Sequence, residues 1–175
     1  YDSDILVGMR WAAGLAVDGV ANNPYPARIE NLSLGSAGLC PQSYQTVIDE
    51  LTARGVVVVV SAGNEGGPVT SPADCDGVVA VTGLRNVGTK VGFSNLGPAV
   101  TVGAPGGNCV NTGAADPCLF SIDTTTNDGK TGPGSNIYGT QFVISVGTSF
   151  SAPIVAGITG LMLAVNGNLK PAQIA

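Results

Sequence analysis

The sequence predicts an α/β fold built on a central, mostly parallel sheet. Three observations carry this reading. Segments of helical period and segments of strand period alternate along the chain, as α/β layering requires. Val56–Val60 is an unbroken run of valines directly after a helical segment, the pattern of a parallel strand buried on both faces. Hydrophobic residues make up 44% of the 175 residues and charged residues only 11%, so the chain buries much of itself in one domain-sized core.

Each element has a local cause. Asp2 and Ser3 are N-cap types, and Ile5, Met9, Ala12, Ala13 and Ala16 follow at helical spacing. Asn22–Pro26 breaks that helix, and Arg28–Gly35 then alternates as a short strand ending at glycine. Pro41 opens a second helix with an apolar stripe of Tyr44, Val47, Ile48 and Leu51, and Gly55 stands at its C-terminal cap. The valine strand follows at once, and Gly77–Gly83 repeats the buried-strand pattern with Val78, Val79, Ala80 and Val81. From Gly88 to Gly139 glycine, proline, asparagine and threonine predict short strands and surface loops. Phe142–Val146 reads as a further strand, and Ser149–Val165 as a helix whose Gly157 and Gly160 suggest close contact with a neighbour. A last helix begins near Pro171. The chain opens directly into a helix and closes inside one, so the sheet is expected to be incomplete at both ends.

Composition excludes several functions. There is no histidine, hence no imidazole base, proton shuttle or His-type metal ligand within these residues. Seven basic residues, scattered singly, against twelve acidic ones give a net charge of −5, which offers no footprint for nucleic acid. No unbroken apolar run approaches the length of a membrane span, and a soluble chain is expected. The four cysteines lack zinc-site spacing and allow three disulfide pairings. Cys109 and Cys118 bracket a short, easily closed loop, which leaves Cys40 with Cys75, and two disulfides imply an oxidising compartment.

In a parallel α/β sheet, ligands gather where loops leave the C-terminal ends of strands. Three loops qualify: Ser33-Leu34-Gly35, Ser61–Gly67, and Gly147–Pro153. The third places a serine at a helix start, where free N–H groups and the positive dipole end favour a developing oxyanion, and the second offers the Asn64 side-chain amide as a donor. A serine nucleophile with an amide donor is half of an acyl-transfer site. Taken singly, Ser149 also fits a plain helix cap and Asn64 a turn residue.

Gly147-Thr148-Ser149-Phe150-Ser151-Ala152-Pro153, followed by Val155-Ala156-Gly157, resembles the nucleophile motif of the subtilases, the subtilisin-like serine peptidases. Ala62-Gly63-Asn64 is similar to their oxyanion-hole motif and Asn31–Gly35 to their substrate-binding strand. Ser71-Pro72-Ala73, Phe93–Gly97 and Gly103–Gly106 fall in the family's order. The resemblance implies a three-layer subtilisin-like fold, of which residues 1–175 form the C-terminal part of one catalytic domain. It implies Ser149 as nucleophile, and Asn64 with the Ser149 N–H as oxyanion donors. Ser33, Leu34, Gly35, Ala62, Gly63 and Glu65 would bind substrate, with Thr70 or Ser71 on the pocket floor.

A pocket walled by backbone suggests large apolar side chains, and Glu65 could pair with a basic one. The family's triad aspartate and histidine lie upstream of the Ser33 strand, so the resemblance implies that an N-terminal part supplies them as a companion chain. The protein is expected to be secreted, to act on polypeptides and to need no cofactor. With Thr101 where some relatives carry an aspartate, only carbonyls near Asp76 and Val78 remain for a calcium ion, so a structural calcium is not supported at these positions, and Asp74 and Asp76 read as a solvated loop. The alternatives are a catalytically inactive relative that binds peptides, and an unrelated secreted domain in which the three loops do not meet.

Overall fold

The computed structural model describes residues 1–108, 120–139 and 146–175. Its order is α1 (Asp2–Ala12), β1 (Ile29–Leu32), α2 (Gln42–Ala53), β2 (Val57–Ser61), β3 (Val79–Leu84), β4 (Val102–Pro105), β5 (Thr125–Asn127), β6 (Asn136–Tyr138), α3 (Thr148–Val165) and α4 (Pro171–Ile174). Strands β1 to β4 form one parallel sheet in the order β1-β2-β3-β4, and β5 and β6 form a separate antiparallel hairpin.

β2 is buried along its whole length because helices cover both faces of the sheet. Val58 and Val60 point into a core shared with Met9 and Ala13 of the α1 region and Tyr44, Val47, Ile48 and Leu51 of α2. Val57 and Val59 point the other way, onto Ala152 and Val155 of α3. The result is three layers, α1 and α2, then sheet, then α3. Arg10 ties the two helices of the first layer together, donating from Nε to Glu50 Oε2 at 2.7 Å and from Nη2 to Glu50 Oε1 at 2.8 Å. The Cys40–Cys75 disulfide forms as expected and closes the α2 entry onto the β3 entry. Beside it, Asp74 accepts the Cys40 N–H at 2.8 Å, so this residue anchors the bridge rather than standing in solvent.

Several sequence expectations are corrected. α1 ends at Ala12 instead of reaching Ala16, since Gly14 turns the chain at φ +76° and the Ala12 carbonyl accepts from Ala27 and Asn23. Its first residue is Asp2, so Asp2 and Asp4 act in the first turn, where acidic charge suits the helix dipole. Gly160 lies against Ile29 of β1, but Gly157 has no close neighbour among the described residues. α3 contains 18 residues without a charged side chain, enough to match a membrane span in length and composition. Glycine, serine, threonine and proline interrupt it, so it holds no long unbroken apolar run. It packs one face across all four strands of the sheet and leaves the other exposed. The strand expected at Phe142–Val146, apart from Val146, and the Cys109 and Cys118 pair lie outside the described residues.

Glu30 breaks the apolar pattern of β1. It shares a face with Leu32 and sits opposite Val58, so its side chain enters the core on the α1–α2 side; it is only 8% exposed and its Oε1 has no partner among the described residues. Burial disfavours the charged form and pushes the carboxyl up from its ordinary 4.5 to about 7. The folded chain therefore holds this proton more tightly than the unfolded one. The associated stability is complete below about pH 4.5 and is lost as pH rises through about 7. Glu30→Gln should remove this decline, so thermal melts between pH 4.5 and 7 should fall less with pH in the variant than in the parent; parallel curves would contradict the assignment.

Candidate active site

β1 and β2 run parallel with Leu32 beside Val60, so their C-terminal ends emerge together on one edge of the sheet. α3 begins at the same edge, on the face opposite α1 and α2. This brings the three predicted loops together. The Ser61 hydroxyl donates to the carbonyls of Leu32 and Leu34, each at 3.4 Å, and draws the segment after β1 against the end of β2. Ser33 Oγ donates to the Ser149 carbonyl at 2.8 Å, and Ser149 Oγ donates to the Ser33 carbonyl at 3.3 Å. Asn31 props this contact by donating to Ser33 Oγ at 2.9 Å.

The Asn64 amide is oriented through its oxygen. Thr148, fully buried, donates to Asn64 Oδ1 from its backbone N–H at 2.9 Å and from its hydroxyl at 3.0 Å. With Oδ1 engaged, Nδ2 is the end of the amide left to donate elsewhere. A carbon placed on Gly147 at the Cβ position would stand 3.6 Å from Asn64 Oδ1, 3.7 Å from its Nδ2 and 3.8 Å from the Ser149 nitrogen, so the Asn64 amide lies beside the first turn of α3. Gly147 adopts φ +143°, which a side chain would strain, and this kink turns the chain into α3 at Thr148. The turn is backed by the segment after β4: Gly147 N–H donates to the Gly106 carbonyl at 2.8 Å, and Ser151 Oγ donates to the Pro105 carbonyl at 3.1 Å.

A cleft of about 210 Å³ opens between these loops, lined by Leu34, Gly35, Gly63, Asn64, Glu65, Thr70 and Ser149 among others. Ser33 stands at its border through its contact with Ser149, while the Ala62 side chain is fully buried beneath it. Of the two residues expected on the pocket floor, Thr70 lines the cleft. Ser71 does not reach the cleft; it is buried, with its carbonyl accepting the Ser36 N–H. Glu65 contributes the charge on the lining, and its Oε2 accepts the Asn64 N–H at 2.9 Å. A hollow of about 790 Å³ lies between the C-terminal end of α2 and α4, at the other end of the sheet, and contains none of the motif residues. Volume alone therefore does not mark the site; the convergence of donors and a hydroxyl does.

The model of the subtilase family matches residues 1–175. The chain belongs to the subtilase family. It is 36% identical over 181 residues to the extracellular basic protease of Dichelobacter nodosus, covering 100% of this chain and 27% of that protein. It is 38% identical over 175 residues to an extracellular protease of Xanthomonas campestris, covering 98% of this chain and 27% of the other. Among solved structures, a protease of Pseudoalteromonas arctica superposes with a TM-score of 0.90 at 35% identity, covering 99% of this chain and 50% of that one. This subtilase chain thus spans about a quarter of those curated relatives and half of that solved chain.

Two residues packed against the Asn64 loop have no role in the sequence reading. Thr148 stood inside the nucleophile motif without a role of its own, and Asn95 stood in Phe93–Gly97, noticed only for its place in the family's order. Thr148→Val is expected to lower the stability of the chain by about 1–3 kcal/mol in urea denaturation, because its hydroxyl bonds to Asn64 and to the Gly63 backbone are lost in a buried setting. An unchanged midpoint would contradict this clamp.

Proposed function

We propose that residues 1–175 form the C-terminal, serine-bearing portion of the catalytic domain of a secreted serine endopeptidase. The observation that carries this reading is the meeting of Ser149, the Asn64 amide and the segment after β1 around one cleft. In this reading Ser149 Oγ attacks the scissile carbonyl and forms an acyl-enzyme. The developing oxyanion is held by Asn64 Nδ2 and the Ser149 N–H at the positive end of α3. An extended polypeptide adds to the exposed backbone of Ser33-Leu34-Gly35, which gives affinity with little demand on sequence. The side chain entering the cleft meets backbone and small groups, which suits a large apolar residue, and Glu65 can pair with a basic one.

The base must come from outside these residues, since the chain holds no histidine. A companion N-terminal part carrying the aspartate and histidine would complete the site. Two features support such a companion. β1 is an outer strand of its sheet among the described residues, with one edge available. α3 leaves Ile158, Leu161 and Val165 at 51%, 70% and 91% exposure, an apolar stripe that a second layer of chain would cover.

Secretion is supported by the disulfide and by the extracellular relatives. The proposed chemistry needs no cofactor. Calcium is left out of this reading: with Thr101 in place of a carboxylate, the carbonyls near Asp76 and Val78 are a sparse set of oxygens for a hard cation. Neither a nucleic acid nor a membrane is required as a partner.

Combined with the upstream segment, the chain should hydrolyse an unfolded protein. Ser149→Ala should abolish this, and Asn64→Ala should lower kcat by about 10²–10³, the loss measured for side-chain oxyanion donors. Undiminished hydrolysis by the Ser149 variant would overturn the proposal.

A further inference from the structure

Asn95 is fully buried, and its polar atoms are directed at the Asn64 loop, about thirty residues earlier. Its N–H donates to the Gly63 carbonyl at 3.0 Å. Its Oδ1 accepts from the N–H groups of Glu65 and Gly67, each at 3.0 Å, and its Nδ2 donates to Glu65 Oε2 at 2.7 Å. That carboxylate oxygen is the one that accepts the Asn64 N–H. Gly63 permits the approach: it sits at φ +105°, and a side chain there would collide with Asn95 Nδ2 and Glu65.

The geometry points to Asn95 as a positioning residue for Asn64, acting through the Glu65 carboxylate. Thr148 holds the far end of the Asn64 side chain, and Asn95 holds the backbone from which it projects. The inference rests on the reading of Asn64 as the oxyanion donor. It explains why an amide is needed: one end must accept two N–H groups while the other donates to a carboxylate. An aspartate would keep the accepting end but set a second carboxylate against Glu65. The charged groups around the loop are Glu65 itself and Lys90, whose Nζ is held by the carbonyls of Val91, Gly92 and Ser94.

The test is Asn95→Asp. In the 175-residue chain alone, amide hydrogen exchange should show Asn64 protection reduced about tenfold or more at neutral pH, with Gly67 and the β2 amides unchanged. Protection at Asn64 should return in acid, where two carboxyls in one site share a proton and a donor reappears, while the parent chain shows no such pH profile. In the assembled peptidase the variant should lose about tenfold in kcat with KM held within about twofold, and it should cost nothing further in an Asn64→Ala background. Unchanged Asn64 protection, loss of β2 protection along with it, or a full additional loss of kcat in the Asn64→Ala background would each overturn the inference. If the parent assembly shows no hydrolysis, the proposed function fails, and the exchange profile of the chain alone decides the role of Asn95.

Discussion

The burial of β2 on both faces is the constraint from which the rest of the molecule follows. A strand with no polar side to offer water requires a layer above and a layer below. Val58 and Val60 call for the α1–α2 layer, and Val57 and Val59 call for α3. Parallel pairing with β1 and β3 then places the strands' C-terminal ends on one edge. Once α3 must cover the lower face, its first turn arrives at that edge beside the loop after β2. The cleft is thus a consequence of sheet burial, and the residues within it refine a position the core has already imposed.

Refinement is achieved with neutral hydrogen bonds spent on orientation. Asn64 presents its nitrogen because Thr148 has taken its oxygen, and Ser33 and Ser149 exchange bonds that join the segment after β1 to the head of α3. Such contacts add modest stability but settle direction, which a transition-state donor needs most. Glu65 is the charge at this edge, and it serves the loop as an acceptor while lying on the cleft wall. Other features carry a cost that the isolated layer does not offset. Glu30 is a carboxyl in an apolar core, and the stripe of Ile158, Leu161 and Val165 stands in water. Glu30 belongs to the outer strand β1 of the described sheet, and the stripe lies on the face of α3 turned away from it.

Much of this was legible in the chain because its signals are local. The α2 stripe of Tyr44, Val47, Ile48 and Leu51 is buried as its spacing requires, and the valine run is the central strand. Ser149 and Asn64 each sit in an ordered motif at a strand end, and their meeting at one cleft follows from that placement. What was missed depended on partners far away in sequence. The end of α1 depends on Gly14 beside Pro26, and Ser71 is buried away from the cleft in a segment bonded to Ser36. The role of Asn95 could not be read at all, since nothing in Phe93–Gly97 names the loop it serves.

By itself, then, the amino-acid sequence determined the α/β class, the buried strands, the identity of the chemical groups and the absence of an imidazole among them. Those properties follow from residue type and from spacing along the chain, which short-range physics reads directly. Tertiary structure alone decided which end of the Asn64 amide faces outward, which buried asparagine holds its loop, and that the Glu30 carboxyl is buried with no partner for its Oε1 among the described residues. Direction and desolvation depend on neighbours brought together only by packing.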